Sequence, residues 1–305
     1  MVQFFKKTNF NFIKYSKLAI TISIVFVLVS IAFIFVHRGL NFSVDFAGGT
    51  LVQVKFDKPV KDDLGKIRTI VNNLGLGSPE VKTIGVAANN ELQITVAKQE
   101  NEETNVANVI RDAFSKDYKE NGFEIRRVES VGPKIGGELK RDALIATILS
   151  LIAILIYVGF RFNLPFGVAS VVPLFHDVLI TVGVFIIFDL EISLTFIAAI
   201  LTIVGYSLND TIVIFDRIRE NMRGGLRGRN FAELVNSSIN QTLSRTVNTA
   251  MTTFFVVGSL YFLGSEAIKD FALAMMVGVV AGTYSTIYIA SPILLWWNNK
   301  KPIAK

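Results

Sequence analysis

Six long stretches of this chain are apolar and almost free of charge. They cover residues 18–36, 143–160, 166–188, 192–215, 247–263 and 271–297. Each comes close to the roughly 20 residues that a helix needs to cross the hydrocarbon core of a bilayer. The pattern predicts six membrane spans, with the last two drawn to 245–264 and 268–297 to include their flanks. The first run resembles a signal peptide in its basic flank of Lys6, Lys7, Lys14 and Lys17. It is longer than a signal core, and no small-x-small cleavage site follows it, so it reads as a retained anchor. Pro292 falls near the end of the sixth run, where a membrane helix tolerates it.

Between spans one and two the pattern changes. Residues 37–142 alternate strand and helix signals. In TLVQVKF (residues 50–56), Val52, Val54 and Phe56 share one face while Gln53 and Lys55 take the other, as in a half-buried strand. Val60, Leu64, Ile67, Val71 and Leu74 then recur at helical spacing, with Pro59 as a first-turn residue and Gly75 or Gly77 as the stop. VKTIGV and ELQITV read as short strands around a turn at Ala88-Asn89-Asn90. Val106, Ile110, Ala113 and Phe114 mark a second helix that stops near Gly122, and FEIRRVESV closes as a strand. The order strand-helix-strand-strand-helix-strand predicts a ferredoxin-like α+β domain. That fold hosts many functions and names none. Glycine pairs bracket the domain: Gly48-Gly49 in VDFAGGT and Gly136-Gly137 in VGPKIGGEL. They read either as turns that fasten the domain to its helices or as hinges that let it swing.

Composition agrees with the pattern. Of 305 residues, 51% are hydrophobic, too many for an ordinary soluble domain. The net charge of +6 is concentrated. Arg161, Arg217, Arg219, Arg223, Arg227 and Arg229 follow spans two and four, and Lys300, Lys301 and Lys305 end the chain. By the positive-inside rule, residues 1–17, the basic loop and interfacial helix at 216–244, and the tail at 298–305 are cytoplasmic. The domain at 37–142 is then extracytoplasmic. His37, Arg38, Lys140 and Arg141 oppose the rule, but they flank a long loop, which translocates largely regardless of charge. No nucleic-acid motif accompanies the arginines, so nucleic acid is not an expected partner. Cysteine is absent and there are two histidines, His37 and His176, which leaves no disulfide framework and no expected metal site. No cofactor motif and no catalytic constellation is present, and the chain does not read as an enzyme.

The candidate chemistry lies inside the spans. Asp177 sits near the middle of span three beside His176, and Asp210 lies in the cytoplasmic half of span four. At 1.5 Å per residue, Asp210 is roughly 7–8 Å along the helix from Phe215. An aspartate at the centre of a membrane helix costs about 2.5–3.5 kcal/mol on insertion scales. Such a residue should face protein or water. Thr202, Tyr206 and Ser207 fall on the same helical face as Asp210. Arg245 enters the membrane with span five, where Gln241, Asn248, Thr249 and Thr252 form a polar face. If the two helices are neighbours, the arginine offsets much of the cost of the carboxylate. The pair reads either as a static tie between helices or as a proton relay whose charge state changes as Arg245 approaches and withdraws. Asp177 and His176, with Ser207 and Thr249, are the candidates for a second relay point or its support. Gly278 and Gly282 form a small-xxx-small pair that favours close helix contact.

VDFAGGT, GPKIGGEL, the His176-Asp177 pair, GYSLNDTIVIFDRIREN (205–221) and QTLSRTVNTAMTT (241–253) together resemble the SecF family of bacterial protein-export membrane subunits. The likeness runs along nearly the whole chain, in order. It departs at Ala250, where the family pattern R-T-x-x-T-S-x-T-T carries serine. The resemblance implies a heteromer with SecD, whose six helices complete a pseudo-symmetric bundle like that of RND transporters. It further implies association with the SecYEG channel and the translocating preprotein, and names YajC and YidC as candidate partners. The implied place is the bacterial inner membrane, and the implied work is late-stage translocation driven by the proton motive force. The family's essential membrane aspartate falls on Asp210 and its arginine on Arg245, with a further carboxylate coming from SecD. The resemblance also favours the hinge reading of the glycines. Two other readings of the residues stand beside it: half of a proton-coupled exporter of small apolar compounds, and a scaffold of the translocon that moves no protons.

Overall fold

The computed structural model describes residues 8–37, 39–60, 62–76, 79–84, 90–96, 105–224 and 230–303. Lys6, Lys7, Arg38, Gly77, Ala88, Asn89, Arg227, Arg229 and Lys305 lie outside the described residues. The chain divides into two compact units, Met1–Asn41 with Ile145–Lys305, and Phe42–Leu144.

The first unit is helical. It holds α1 (Phe12–Val36), the membrane part of α5 (Pro133–Arg161), α6 (Leu164–Ile187), α7 (Leu194–Arg223), α8 (Phe231–Leu263), α9 (Glu266–Ser285) and α10 (Ser291–Lys300). A π-helical turn, Thr286–Ala290, joins the last two into one rod. Among the described residues, six helical rods are long and apolar enough to cross a membrane. Many of their large apolar side chains point outward, among them Leu18, Leu28, Leu149, Phe160, Phe255 and Phe262. In water such a surface would be an interaction patch or a liability; around membrane helices it meets lipid chains of the same polarity. The inner core runs along α6, α7, α8 and the last rod, through Phe166, Leu174, Val204, Phe215, Val235 and Leu294. On α5 only Leu151, Ile154 and Val158 reach it.

Three boundaries differ from the sequence pattern. The pattern separates an interfacial helix from span five, but α8 is one uninterrupted helix of 33 residues. It starts at a capping box, in which the Asn230 side chain accepts from Glu233 N and Glu233 reaches back to the Asn230 amide. No proline or glycine interrupts it before Gly258, and Ser238, Thr242, Thr249 and Thr252 return their hydroxyls to carbonyls four residues earlier. Polar side chains therefore cost this helix little continuity. The second difference is at α5, which begins at Pro133 and not near 143, with proline in the first position where its missing N–H is harmless. Gly136 and Gly137 are consequently helical and form no turn. The third is the π-helical turn itself. It precedes Pro292, which has no N–H to give to the preceding turn, and the Ser291 hydroxyl bonds to Thr286 O at 3.1 Å.

The second unit is built on a four-stranded antiparallel sheet. Its elements are α2 (Val44–Ala47), β1 (Gly49–Phe56), α3 (Leu64–Asn72), β2 (Glu80–Ile84), β3 (Glu91–Val96), α4 (Val106–Asp117) and β4 (Phe123–Val131). The strand order is β2-β3-β1-β4. Val52, Val54 and Phe56 of β1 and Leu92, Ile94 and Val96 of β3 share one core with Ile67 and Val71 of α3 and Ile110 and Phe114 of α4. That single core puts both helices on the same face of the sheet. Gly48 and Gly49 have φ of 74° and 131°, a region that residues with a Cβ resist. Gly136 serves a different purpose: a Cβ there would lie 3.0 Å from Phe46 O and 3.2 Å from Asp45 O, so the start of α5 can rest directly on α2.

Two substitutions test these contacts. Gly136→Ala should destabilise the second unit by about 1–3 kcal/mol, the usual range for overpacking, whereas Gly137→Ala, with nothing within 4 Å of its Cβ, should be neutral in the same thermal melt. In the helical unit, a Cβ at Gly278 would meet Ile203 Cδ1 and Cγ1 on α7. Gly278→Val is expected to lower the melting temperature in detergent, and an unchanged melt would show that α7 and α9 are not closely packed.

Candidate functional site

The polar interior of the helical unit is assembled from α1, α6, α7 and α9. Ser193 caps α7 by accepting from Phe196 N, and the helix then runs 30 residues without proline. Small residues let α9 lie against it. A Cβ at Gly282 would come within 3.0 Å of Ser207 Cβ, so the two backbones approach here as only glycine allows.

Asp177 stands at the centre of this contact, 1% exposed. Its Oδ2 accepts from Ser207 Oγ at 2.5 Å and from Ser285 Oγ at 2.9 Å. Its Oδ1 lies 2.9 Å from His176 Nδ1. The chain of bonds continues outward: His176 Nε2 lies 3.0 Å from Ser23 Oγ, Ser23 Oγ donates to Tyr284 Oη at 3.1 Å, and Tyr284 donates to Ala19 O at 2.6 Å. The Tyr284 and His176 rings stack with centroids 5.9 Å apart. A buried carboxylate so supplied with donors holds four helices in register.

Asp210 lies one turn further along α7 and is treated differently. It is 3% exposed, yet its Oδ2 has no hydrogen-bond partner among the described residues. Arg245 on α8 acts on it through space, but no ion pair within 4 Å joins them among the described residues. Thr246 Oγ1 and Asn248 Oδ1 on α8 are likewise buried without a hydrogen-bond partner among the described residues. Native interiors leave few such atoms, and a cluster of them calls for an explanation. The outer faces of these helices add to it. Thr202, Asn209, Arg245 and Thr252 are exposed on the surface of this chain.

The residues singled out from sequence thus fall into two groups. Asp210 and Arg245 stand on neighbouring helices in electrostatic reach without contact. Asp177, His176 and Ser207 form one bonded cluster. Ser207 does not serve Asp210, as its helical face suggests, because its hydroxyl is drawn to Asp177. Thr249 is in neither group, since its hydroxyl donates to Arg245 O at 3.0 Å. Sequence reasoning missed Ser23, Tyr284, Ser285 and the Thr211–Thr286 contact at 2.9 Å. The signal available was the polar run Thr283-Tyr284-Ser285-Thr286 inside an otherwise apolar span.

Residues 110–300 match the family model for the protein export membrane protein SecD/SecF, C-terminal, and residues 33–60 match the SecD/SecF GG motif. A protein translocase subunit SecF from Thermodesulfovibrio yellowstonii is 41% identical over 302 residues, covering 97% of this chain and 97% of the relative. The SecF of Magnetococcus marinus is 44% identical and covers 97% of this chain and 94% of its own length. Among solved structures, SecDF, a translocon-associated membrane protein from Thermus thermophilus, superimposes with a TM-score of 0.83 at 37% identity over 96% of this chain. This chain spans 39% of the length of that SecDF chain. A second SecDF structure, in a super-membrane-facing form, gives a TM-score of 0.70 and is covered to 40%. With a family model matched over more than half its length and relatives matched end to end, the chain belongs to the SecD/SecF family of protein-export membrane proteins.

Proposed function

We propose that this chain is the SecF-type subunit of the Sec preprotein translocase and that, paired with SecD, it uses the proton motive force to assist late-stage translocation across the bacterial inner membrane. The supporting observation is Asp210: a buried carboxylate with one oxygen left without a hydrogen bond, within electrostatic reach of Arg245. A proton can be added to that oxygen or removed from it without breaking a bond to the protein. Asp177 differs, because all its bonds would have to be rearranged. Each proton that crosses the membrane releases about 2.3 kcal/mol per 100 mV, the only energy source this chain's residues suggest.

The exposed polar stripe of α7 and α8 supports the partnership. Facing lipid, an arginine within a membrane span is costly, up to about 2.5–3.5 kcal/mol at the helix centre on insertion scales. Thr202, Asn209, Arg245 and Thr252 are better matched by a polar helix face of SecD that brings a further carboxylate. The division of the chain into two compact units, with boundaries at Asn41/Phe42 and Leu144/Ile145, supports a stroke in which the extracytoplasmic domain moves. SecYEG is the channel served, both termini are cytoplasmic, and YajC and YidC are neighbours in the same assembly.

In membrane vesicles carrying SecD and the channel, Asp210→Asn should assemble normally and lose gradient-dependent export, and Arg245→Met should do the same. Export by Asp210→Asn that still collapses with a protonophore would sink the relay. The two aspartates should also separate by stability. Asp177→Ala leaves Ser207 and Ser285 without their acceptor and should cost about 1–3 kcal/mol in detergent, while Asp210→Asn should melt like the parent.

A further inference from the structure

A cavity of about 460 Å³ opens beside the polar cluster and takes no part in the function proposed above. Its walls come from Ile22 and Phe26 of α1, Ile180 of α6, Phe254 of α8, and Met276 and Val277 of α9. Ser23, His176 and Tyr284 of the polar cluster also line it. We propose that this cavity seats one hydrocarbon chain of a bilayer lipid.

Three features select that occupant. First, the polar atoms of the lining cluster residues are already engaged: His176 Nε2 with Ser23, Ser23 with Tyr284, and Tyr284 with Ala19 O. The cavity therefore offers a ligand ring faces and aliphatic groups, and a polar ligand would lose its own hydrogen bonds on entering. Second, water is a poor filling, because an ordered water needs two to four polar partners and apolar cavities stay dry or take apolar guests. The volume lies within the range of small-molecule sites. Third, the lining residues Ile22 and Val280 are each 58% exposed, on helices that cross the membrane, so the cavity opens toward their outer surface. Whatever enters from that side comes from the hydrocarbon of the bilayer. A seated chain packs against the His176 and Tyr284 rings and keeps water from the bonds that lead to Asp177. This assignment concerns binding and stands or falls separately from the proton reading of Asp210.

The test uses the full chain in a steroid-based detergent, with Trp296 and Trp297 both replaced by Phe to remove background fluorescence. One reporter is Phe254→Trp in the cavity wall; the control is Phe262→Trp, on the outward face of the same helix. The protein is titrated with a phosphatidylcholine whose acyl chain is dibrominated, a contact quencher of indole. Quenching of the wall reporter is expected to saturate at equimolar lipid, while the control rises only gradually. Val277→Phe, which fills the cavity, and Val280→Phe, which narrows its mouth, should each remove the saturable part. Equal quenching of both reporters overturns the proposal, as does saturable quenching that survives both filling substitutions. Loss of the effect when SecD is co-purified also overturns it, since the groove would then be covered by a helix of the partner.

Discussion

A carboxylate placed among membrane helices must find its donors within the protein, and that requirement organises the whole helical unit. Water is not present to serve it, and an unserved charge in hydrocarbon is expensive. Asp177 meets the requirement by drawing one hydroxyl from α7, one from α9 and the imidazole of its neighbour, which is itself tied to α1. Four helices are thereby held at fixed heights relative to one another. The glycines of α9 are a consequence, because Ser207 and Ser285 can converge on one oxygen only where the two backbones come close.

Asp210 acquires its meaning from this contrast. Both aspartates are buried in the same bundle, and a helical turn separates Ser207, which serves one, from the other. One is saturated and bonded across the structure. The other keeps an oxygen open, with a guanidinium near enough to influence it but not to clasp it. A tight ion pair would have made a good tie between helices and a poor place to exchange a proton. The looser arrangement is the basis of the proton reading proposed above, and the exposed side chains of Thr202, Asn209, Arg245 and Thr252 give the two helices a polar outer face.

Much of this architecture was legible in the order of apolar and polar residues. The spans could be read because crossing hydrocarbon demands an unbroken run of apolar side chains; the alternation of Val52, Val54 and Phe56 located β1, although the strand is buried on both faces, with Gln53 only 6% exposed. The errors were of one kind. Hydropathy measures what a segment would cost in lipid; it does not measure whether a helix continues. It therefore divided α8 near Arg245, although the backbone there runs on with its hydroxyls turned back to its own carbonyls. Gly136-Gly137, read from the sequence as a turn or a hinge, lies inside a helix that Pro133 had already begun. Asp210 and Arg245 stood out because charges in spans are rare. The serines around Asp177 did not, since serine is common and its partners lie 30 and 108 positions away along the chain. Ser207 shares a helical face with Asp210 and was also read among the supports of a second relay point; it bonds to Asp177, because a helical face says where a Cβ points and not where a hydroxyl turns.

The wide turn at Thr286–Ala290 has a consequence for how this protein can vary. A π-type turn accommodates a residue that an α-helix would omit, and one residue corresponds to roughly 100° of rotation about the helix axis. The half bearing Ser285 and the half bearing Leu294 are thus phased independently, one toward Asp177 and the other toward the inner core. Deleting a single position in that segment would leave a regular helix, but no rotation of the rod could then satisfy both ends. Insertions and deletions tolerated elsewhere in the chain should be selected against here, and the spacing between Ser285 and Leu294 should behave as an inherited constant.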